Sequence, residues 1–420
     1  MIKRLKPKSD FSRNVLTLMT GTTISQAIPI AIIPILTRIY TPEDFGVLTL
    51  FIAVSSILGS IANGRYELAI MLPEKDEDAI NIAALGLLIA AVISVVLLIP
   101  IFFLNQPIAS LLGNKEIEYW LYFVPFVVFM TGLYNVLNYL NTRKKLYRDI
   151  AQANVYKSVG MASAQLSVGF IKSGASGLII GQIIAQTISN YRLAINVKQN
   201  YDTAKVTKGE IKRLAKRYVD FPAFSMWAIL ANTLAYHLTN ILISIYYSIA
   251  TVGFYSLSQK ILGLPTALIG GSIGQVFFQE AVKEKQKTGK AINTFDRTSK
   301  KLFLISFIFF TPLYFFIPSI FEISFGSRWI VAGEYARIIL PLVAVQFIAA
   351  ALSNINNIFE KQKIALMWQV GLLMVSLSIL VYSSFQGYGF VVFLKIYSLI
   401  ISLYYIFLYF ILKKVAQGLL

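Results

Sequence analysis

Stretches of about 20 apolar residues alternate with short polar segments along the whole chain, and the alternation repeats twelve times in 420 residues. The stretches run over roughly 14–38, 46–70, 80–104, 118–140, 150–170, 175–195, 220–246, 253–278, 301–322, 333–357, 364–384 and 389–412. Each is long enough to cross a hydrocarbon layer as an α-helix, the one open-ended structure that satisfies its own backbone in lipid. The fifth is the most polar, with Lys157 among small residues in "AQANVYKSVGMASAQLSVGF". It reads either as a surface helix or as a lumen-lining helix shielded by its neighbours. The pattern predicts an all-α polytopic membrane protein of about twelve spanning helices.

Composition agrees, with 56% hydrophobic and 14% charged residues. A net charge of +18 would suggest nucleic acid in a soluble chain. Here the distribution of Lys and Arg between loops explains it better, through the positive-inside rule and contact with anionic lipid. Lys3, Arg4, Lys6, Lys8 and Arg13 precede the first span, and Arg143, Lys144, Lys145 and Arg148 follow the fourth. The loop after the sixth carries Lys198, Lys205, Lys208, Lys212, Arg213, Lys216 and Arg217. That after the eighth carries Lys283, Lys285, Lys287, Lys290, Arg297, Lys300 and Lys301. The opposite side holds little beyond Arg38, Lys115, Lys172 and Arg328. Both termini are therefore expected in the cytoplasm. The first apolar stretch lacks a small-residue cleavage site and reads as a retained helix. With no Cys and one His, disulfides and thiolate metal sites are excluded and a protein-built metal centre is not expected.

The chain repeats itself at half length. "RIYTPEDFGVLTL" after the first span resembles "SIYYSIATVGFYSLSQ" after the seventh, pairing Tyr40 with Tyr247, Gly46 with Gly253 and Thr49 with Ser256. The fourth span leaves through "NYLNTRKKL" and the tenth through "NNIFEKQKI". Two six-helix bundles, 1–205 and 206–420, follow from this register, joined by a basic linker around 196–218 that reads as an amphipathic surface helix. Alternating access between the halves is the expected mechanical consequence.

Ionisable groups within spans are costly in lipid and become candidates for function. Arg38, Arg65, Lys157, Lys260 and Arg337 are distributed over both halves and suit an anionic substrate, Arg by bidentate contact and Lys as a mobile point charge. Arg65 and Glu67 are two apart and should not share a helix face. Lys395 lies inside the twelfth span. Glu67, Asp149, Asp220 and His237 are candidates for coupling to a proton or sodium gradient, with Glu334 a further carboxylate. Asp149 and Asp220 also fit as acids at helix starts. The alternative for each cation is a local ion pair or a snorkelling stem. No Walker loop, catalytic triad or cofactor motif is visible, which points away from an ATPase or an enzyme.

The segments "LTRIYTPEDFGVLTL", "GRYELAIMLPEKDEDA", "LNTRKKLYRDIAQAN" and "VGFYSLSQKILGLP", in this order and over this length, resemble the polysaccharide-transporter branch of the multidrug/oligosaccharidyl-lipid/polysaccharide exporter superfamily, especially its O-antigen flippases. The resemblance implies a V-shaped pair of six-helix lobes around a central cationic cavity, in the bacterial cytoplasmic (inner) membrane. It implies movement of undecaprenyl-diphosphate-linked O-antigen or related repeat units to the outer leaflet, coupled to an ion gradient. No bound cofactor and no nucleic acid are implied. The partners it implies are membrane lipids, a lipid-linked oligosaccharide substrate, an O-unit polymerase and a chain-length regulator. A multidrug/toxin exporter coupled to protons or sodium is the alternative.

Overall fold

The computed structural model describes residues 10–172 and 174–419, with side chains from residue 20 onward except those of 267, 268 and 362. Lys3, Arg4, Lys6 and Lys8 lie outside the described residues, as does the side chain of Arg13. No strand occurs among the described residues. Two compact units divide the chain, Met1–Ile241 and Leu242–Leu420.

The first unit contains α1 (Asp10–Ile39), α2 (Pro42–Gly59), α3 (Tyr66–Ala69), α4 (Asp76–Leu111), α5 (Ile117–Leu121) and α6 (Val124–Arg143). It continues through α7 (Tyr147–Ile171), α8 (Ser176–Asn200) and α9 (Lys208–Arg217). Helix α10 (Met226–Tyr246) carries the chain onward into the second unit. There follow α11 (Ile249–Pro265), α12 (Gly271–Thr288), α13 (Ile292–Phe325), α14 (Ile330–Leu352), α15 (Ile355–Ile358), α16 (Gln362–Phe385) and α17 (Phe390–Ala416). Among the described residues eight helical stretches are long and apolar enough to cross a membrane: Thr20–Ile39, Pro42–Gly59, Asp76–Leu111, Phe221–Tyr246, Ile292–Phe325, Ser327–Ile358, Lys363–Phe385 and Phe390–Ala416. Large side chains such as Val95, Ile99, Phe102 and Phe103 of α4 point outward, as lipid-facing residues do. This is an all-α, multi-pass membrane protein.

Several helices outrun the apolar stretches that mark them in the sequence. Helix α4 has 36 residues, is broken by a kink at Leu104 (φ −118°, ψ 17°), and begins at the acidic run Asp76–Glu77–Asp78. Acidic groups favour a helix start, so the helix extends into water where hydropathy no longer registers it. The stretch 46–70 is not one helix: α2 ends at Gly59 and turns intervene before α3. Asn63 fixes that break, its amide donating to the Gly86 and Gly132 carbonyls, each at 3.1 Å.

Helix α7, the polar fifth stretch, packs closely because small residues face it. A Cβ on Gly21 would collide with Ala151, and one on Gly169 or Gly177 would collide with the Tyr40 hydroxyl. That hydroxyl donates to the Gln165 carbonyl at 2.6 Å. The basic linker forms α9, with only Leu214 buried, against Tyr66, Ile70, Ala79 and Tyr201.

The half-length repeat has local counterparts. Thr41 caps α2, accepting from the Asp44 amide at 3.3 Å, and Ser248 caps α11, accepting from the Thr251 amide at 3.1 Å. Both caps follow the paired tyrosines Tyr40 and Tyr247. The second correspondence ends in an elbow in both halves, three positions later in "NYLNTRKKL" than in "NNIFEKQKI". Lys145 (φ 58°) and Glu360 (φ 57°) are both left-handed, and each is followed by an amide, of Leu146 or Lys361, that returns to the carbonyl of a buried Asn, Asn141 or Asn356.

Candidate functional site

Lys157 sits eleven positions into α7, half-buried. Its ammonium donates to Gln186 Oε1 at 2.9 Å and lies 5.1 Å from the Tyr134 ring centroid. The Tyr134 hydroxyl donates to Asn154 Oδ1 at 3.1 Å. Gln186 and Asn190, one turn apart on α8, both donate to the Met130 carbonyl, at 3.4 and 2.8 Å. Asn190 Oδ1 is buried without a partner. Among the described residues no carboxylate pairs with Lys157. Its charge is thus solvated by neutral groups only: an amide oxygen and an aromatic face. Such a cation keeps its attraction for an incoming anion. Sequence reasoning singled out Lys157 but missed Gln186 and Tyr134; the polar pair Gln186 and Asn190 at helical spacing within an apolar stretch was the available signal.

Arg65 and Glu67 contradict the expectation drawn from helical geometry. They form an ion pair at 3.1 Å. Gly64 and Arg65 are successive left-handed residues, with φ 56° and 64°, so the chain here is not helical and residues two apart can meet. Glu67 is buried, and its second oxygen has no partner. The Arg65 Nε also donates to the Ser225 hydroxyl at 3.5 Å.

Asp149 does more than flank a helix start. It pairs with Arg192 of α8, which also donates to Gln152 Oε1 at 3.2 Å and Asn196 Oδ1 at 3.0 Å. Asn196 in turn donates to Asn141 Oδ1 at 2.9 Å. Arg192 was not among the sequence candidates, although it lies within the sixth apolar stretch, in "TISNYRLAI" of α8. Asp220 is exposed just before a π-helical turn, Phe221–Ser225. His237 is half-buried in α10, edge-on to Tyr236 with centroids 5.1 Å apart. Arg38 is exposed at the end of α1.

In the second unit Lys260 is exposed on α11, five residues ahead of Pro265 and the π-helical turn Thr266–Gly270. Arg337 pairs with Glu334 one turn earlier on α14, at 2.5 Å, so the two neutralise one another locally. Lys395 is exposed on α17. Within the first unit, Arg65–Glu67 and Asp149–Arg192 are closed pairs and Lys157 stands apart from both, joined to neither by a hydrogen bond or ion pair. No group of three or more His, Asp or Glu among the described residues could hold a metal ion.

Comparison with known proteins agrees with this all-helical, multi-pass architecture. The profile of a family described as "Polysaccharide biosynthesis protein" matches residues 35–334. The succinoglycan biosynthesis transport protein ExoT of Rhizobium meliloti (strain 1021) is 22% identical over 324 residues, 74% of this chain and 61% of the relative. The chain thus aligns with less than two thirds of that relative's length. Among solved structures, the lipid II flippase MurJ in an inward closed conformation superposes with a TM-score of 0.69 at 12% identity, covering 96% of this chain and 90% of MurJ. An inward-facing multidrug resistance MATE family transporter of the MOP superfamily gives 0.67 at 14% identity, covering 96% and 98%. At these identities the likeness establishes the fold that the chain shares with both.

Proposed function

This chain belongs to the polysaccharide biosynthesis protein family, and from that premise we propose that it moves lipid-linked polysaccharide repeat units across the bacterial cytoplasmic membrane by ion-coupled alternating access. In this reading twelve spans form two six-helix halves, 1–205 and 206–420, with both termini in the cytoplasm. The repeated caps and elbows support the two-half plan. The cargo is an undecaprenyl-diphosphate-linked O-antigen or related unit, with a polymerase and a chain-length regulator acting on it afterwards.

The observation that carries the proposal is Lys157, a cation on the polar helix α7 held by neutral partners alone. A diphosphate crossing a low-dielectric interior needs compensating charge, yet binding must stay weak enough for release. A lysine without a carboxylate meets both demands. Arg38, Arg65, Lys260 and Arg337 are proposed as further stations, the last two in the second unit. Arg65 and Arg337 each come with a carboxylate that an anionic headgroup must displace. Glu67, Asp149, Asp220 and His237 are the proposed coupling groups for a proton or sodium gradient. Glu67 is the strongest by geometry, because one of its buried oxygens lacks a partner.

A multidrug or toxin exporter is the second reading, supported by the likeness to inward-facing and outward-facing structures of a multidrug resistance MATE family transporter. The family and the curated relative favour polysaccharide. Reconstituted protein offered both cargoes separates them. Leaflet transfer of a polyprenyl-diphosphate oligosaccharide without drug-stimulated ion flux supports the first reading; drug-stimulated proton or sodium flux without leaflet transfer overturns it.

A further inference from the structure

Helix α9 is docked through one face and bare on the other. On the docked face Leu214 is fully buried, and the Ala215 carbonyl accepts from the Tyr66 hydroxyl at 2.9 Å. Asn81 of α4 holds the approach, donating to the Lys205 carbonyl at 3.0 Å and accepting from the Thr207 amide at 2.9 Å. The cations on this side are neutralised by the acidic start of α4: Lys205 pairs with Glu77, and Arg213 with Asp78 at 2.7 Å and with Glu210. The helix is therefore a fixed platform.

Its outer face is basic and unneutralised. Lys208, Lys212 and Lys216 recur every four residues and so share one side, with Lys212 and Lys216 each about 160° around the helix from Leu214. All three are exposed, and among the described residues none lies within 4.0 Å of a carboxylate. Arg217 follows, exposed, with its guanidinium 5.4 Å from the Tyr218 ring centroid. Shortly after it the chain enters the apolar stretch Phe221–Tyr246, whose Phe224 and Trp227 are 72% and 60% exposed. Aromatic side chains so exposed at the start of a spanning stretch mark the membrane interface. The lysine row thus lies next to the level of the lipid headgroups.

We infer that the outer face of α9 binds the anionic phospholipid headgroups of the leaflet it borders. Lysines are mobile point charges suited to many phosphates in no fixed geometry. The face offers no exposed apolar or aromatic anchor of the kind a protein partner would bury, since Leu214 is spent inward. The inference concerns the platform and its lipid, and it stands whether the transported cargo is a polysaccharide unit or a drug.

The chain has no Cys, so a single Gly209→Cys change labels α9 uniquely, at a site where an added Cβ meets nothing within 4 Å. The full-length labelled protein is placed in bilayers of phosphatidylcholine and phosphatidylglycerol, with a quencher near the top of one acyl chain of either lipid. Quenching is expected to be at least roughly fivefold more effective from phosphatidylglycerol. That preference should fall towards equality in K208Q/K212Q/K216Q, and in about 1 M salt, where charges are screened beyond about 3 Å. An unchanged thermal transition in the triple variant separates lipid loss from unfolding. K283Q/K287Q/K290Q, carrying the same charge change on α12 and the turn after it, should keep the preference. Equal quenching by both lipids in the parent protein, or an unaltered preference in the α9 variant, overturns the inference. So does a preference that appears only with a polyprenyl diphosphate, which would assign the row to the cargo instead.

Discussion

The Arg65 guanidinium donates to the Glu67 carboxylate at 3.1 Å although only Tyr66 separates them. Two left-handed residues, Gly64 and Arg65, turn the chain between α2 and α3 so that both side chains fall on one side. Glu67 is almost wholly buried, at 3% exposure, whereas Arg65 retains 23%. The carboxylate therefore depends on its cation more than the reverse.

Removing Arg65 alone should leave a buried charge uncompensated. R65Q is expected to cost roughly 2–3 kcal/mol of stability, below the 3–5 of a fully buried pair because Arg65 is partly solvated. R65Q/E67Q should recover most of that loss. Thermal unfolding of the two purified variants measures the difference, and a double variant as unstable as the single one would contradict the pairing.

The elbows at Lys145 and Glu360 hold non-glycine residues in the left-handed region, and both side chains are exposed. A left-handed L-residue costs about 1–2 kcal/mol, and glycine's extra freedom in the unfolded chain returns part of that. K145G and E360G are each expected to raise stability by roughly 0.5 kcal/mol, seen as a higher melting temperature. Equal destabilisation of both would show that the side chains matter more than the backbone.

Glu284, on the polar end of α12, accepts from the Asn293 and Thr294 amides at 3.0 and 2.7 Å and so caps α13 from outside it. Burial pushes its carboxyl up, but these hydrogen bonds outweigh burial and hold it below the ordinary value of 4.5. A depressed carboxylate contributes stability fully above its unfolded pKa and loses it as pH falls through the folded one. E284Q should cost about 1 kcal/mol at neutral pH, and the gap from the parent should close as pH is lowered below about 4.5. A gap independent of pH would mean that the carboxylate's charge plays no part in the cap.

Gly177 of α8 lies so close to the Tyr40 hydroxyl that a Cβ cannot be added without displacement. G177A is expected to destabilise the first unit by about 1–3 kcal/mol through overpacking. Y40F/G177A should recover part of the loss, because the offending oxygen is gone. Hydrogen exchange of α7 and α8 peptides reads the effect locally.

Much of this architecture is legible in the order of apolar and polar residues. The capping pairs Thr41/Asp44 and Ser248/Thr251 stand in matching registers, and "TRKKL" and "EKQKI" mark the elbows without any knowledge of backbone angles. The break between α2 and α3 is less legible. Its one local signal is the turn dipeptide Asn63-Gly64, set within an otherwise apolar stretch, and Asn63 fixes the break through carbonyls of α4 and α6 distant in sequence. For the same reason helical spacing misjudged Arg65 and Glu67. Lys157 could be singled out because a cation in a span is conspicuous. Of its partners, Gln186 of α8 carried a signal in its helical spacing from Asn190, whereas Tyr134 of α6 carried none, since pairing across helices leaves no short-range spacing to read.

The most direct measurement is the rate at which reconstituted protein moves a polyprenyl-diphosphate oligosaccharide between leaflets under a proton or sodium gradient. The parent protein should exceed empty membranes, and Lys157→Gln, folded and present at equal amount, should lose most of that excess while Lys157→Arg keeps part of it. Transfer at the empty-membrane rate under both gradients, or full transfer by Lys157→Gln, would contradict the account.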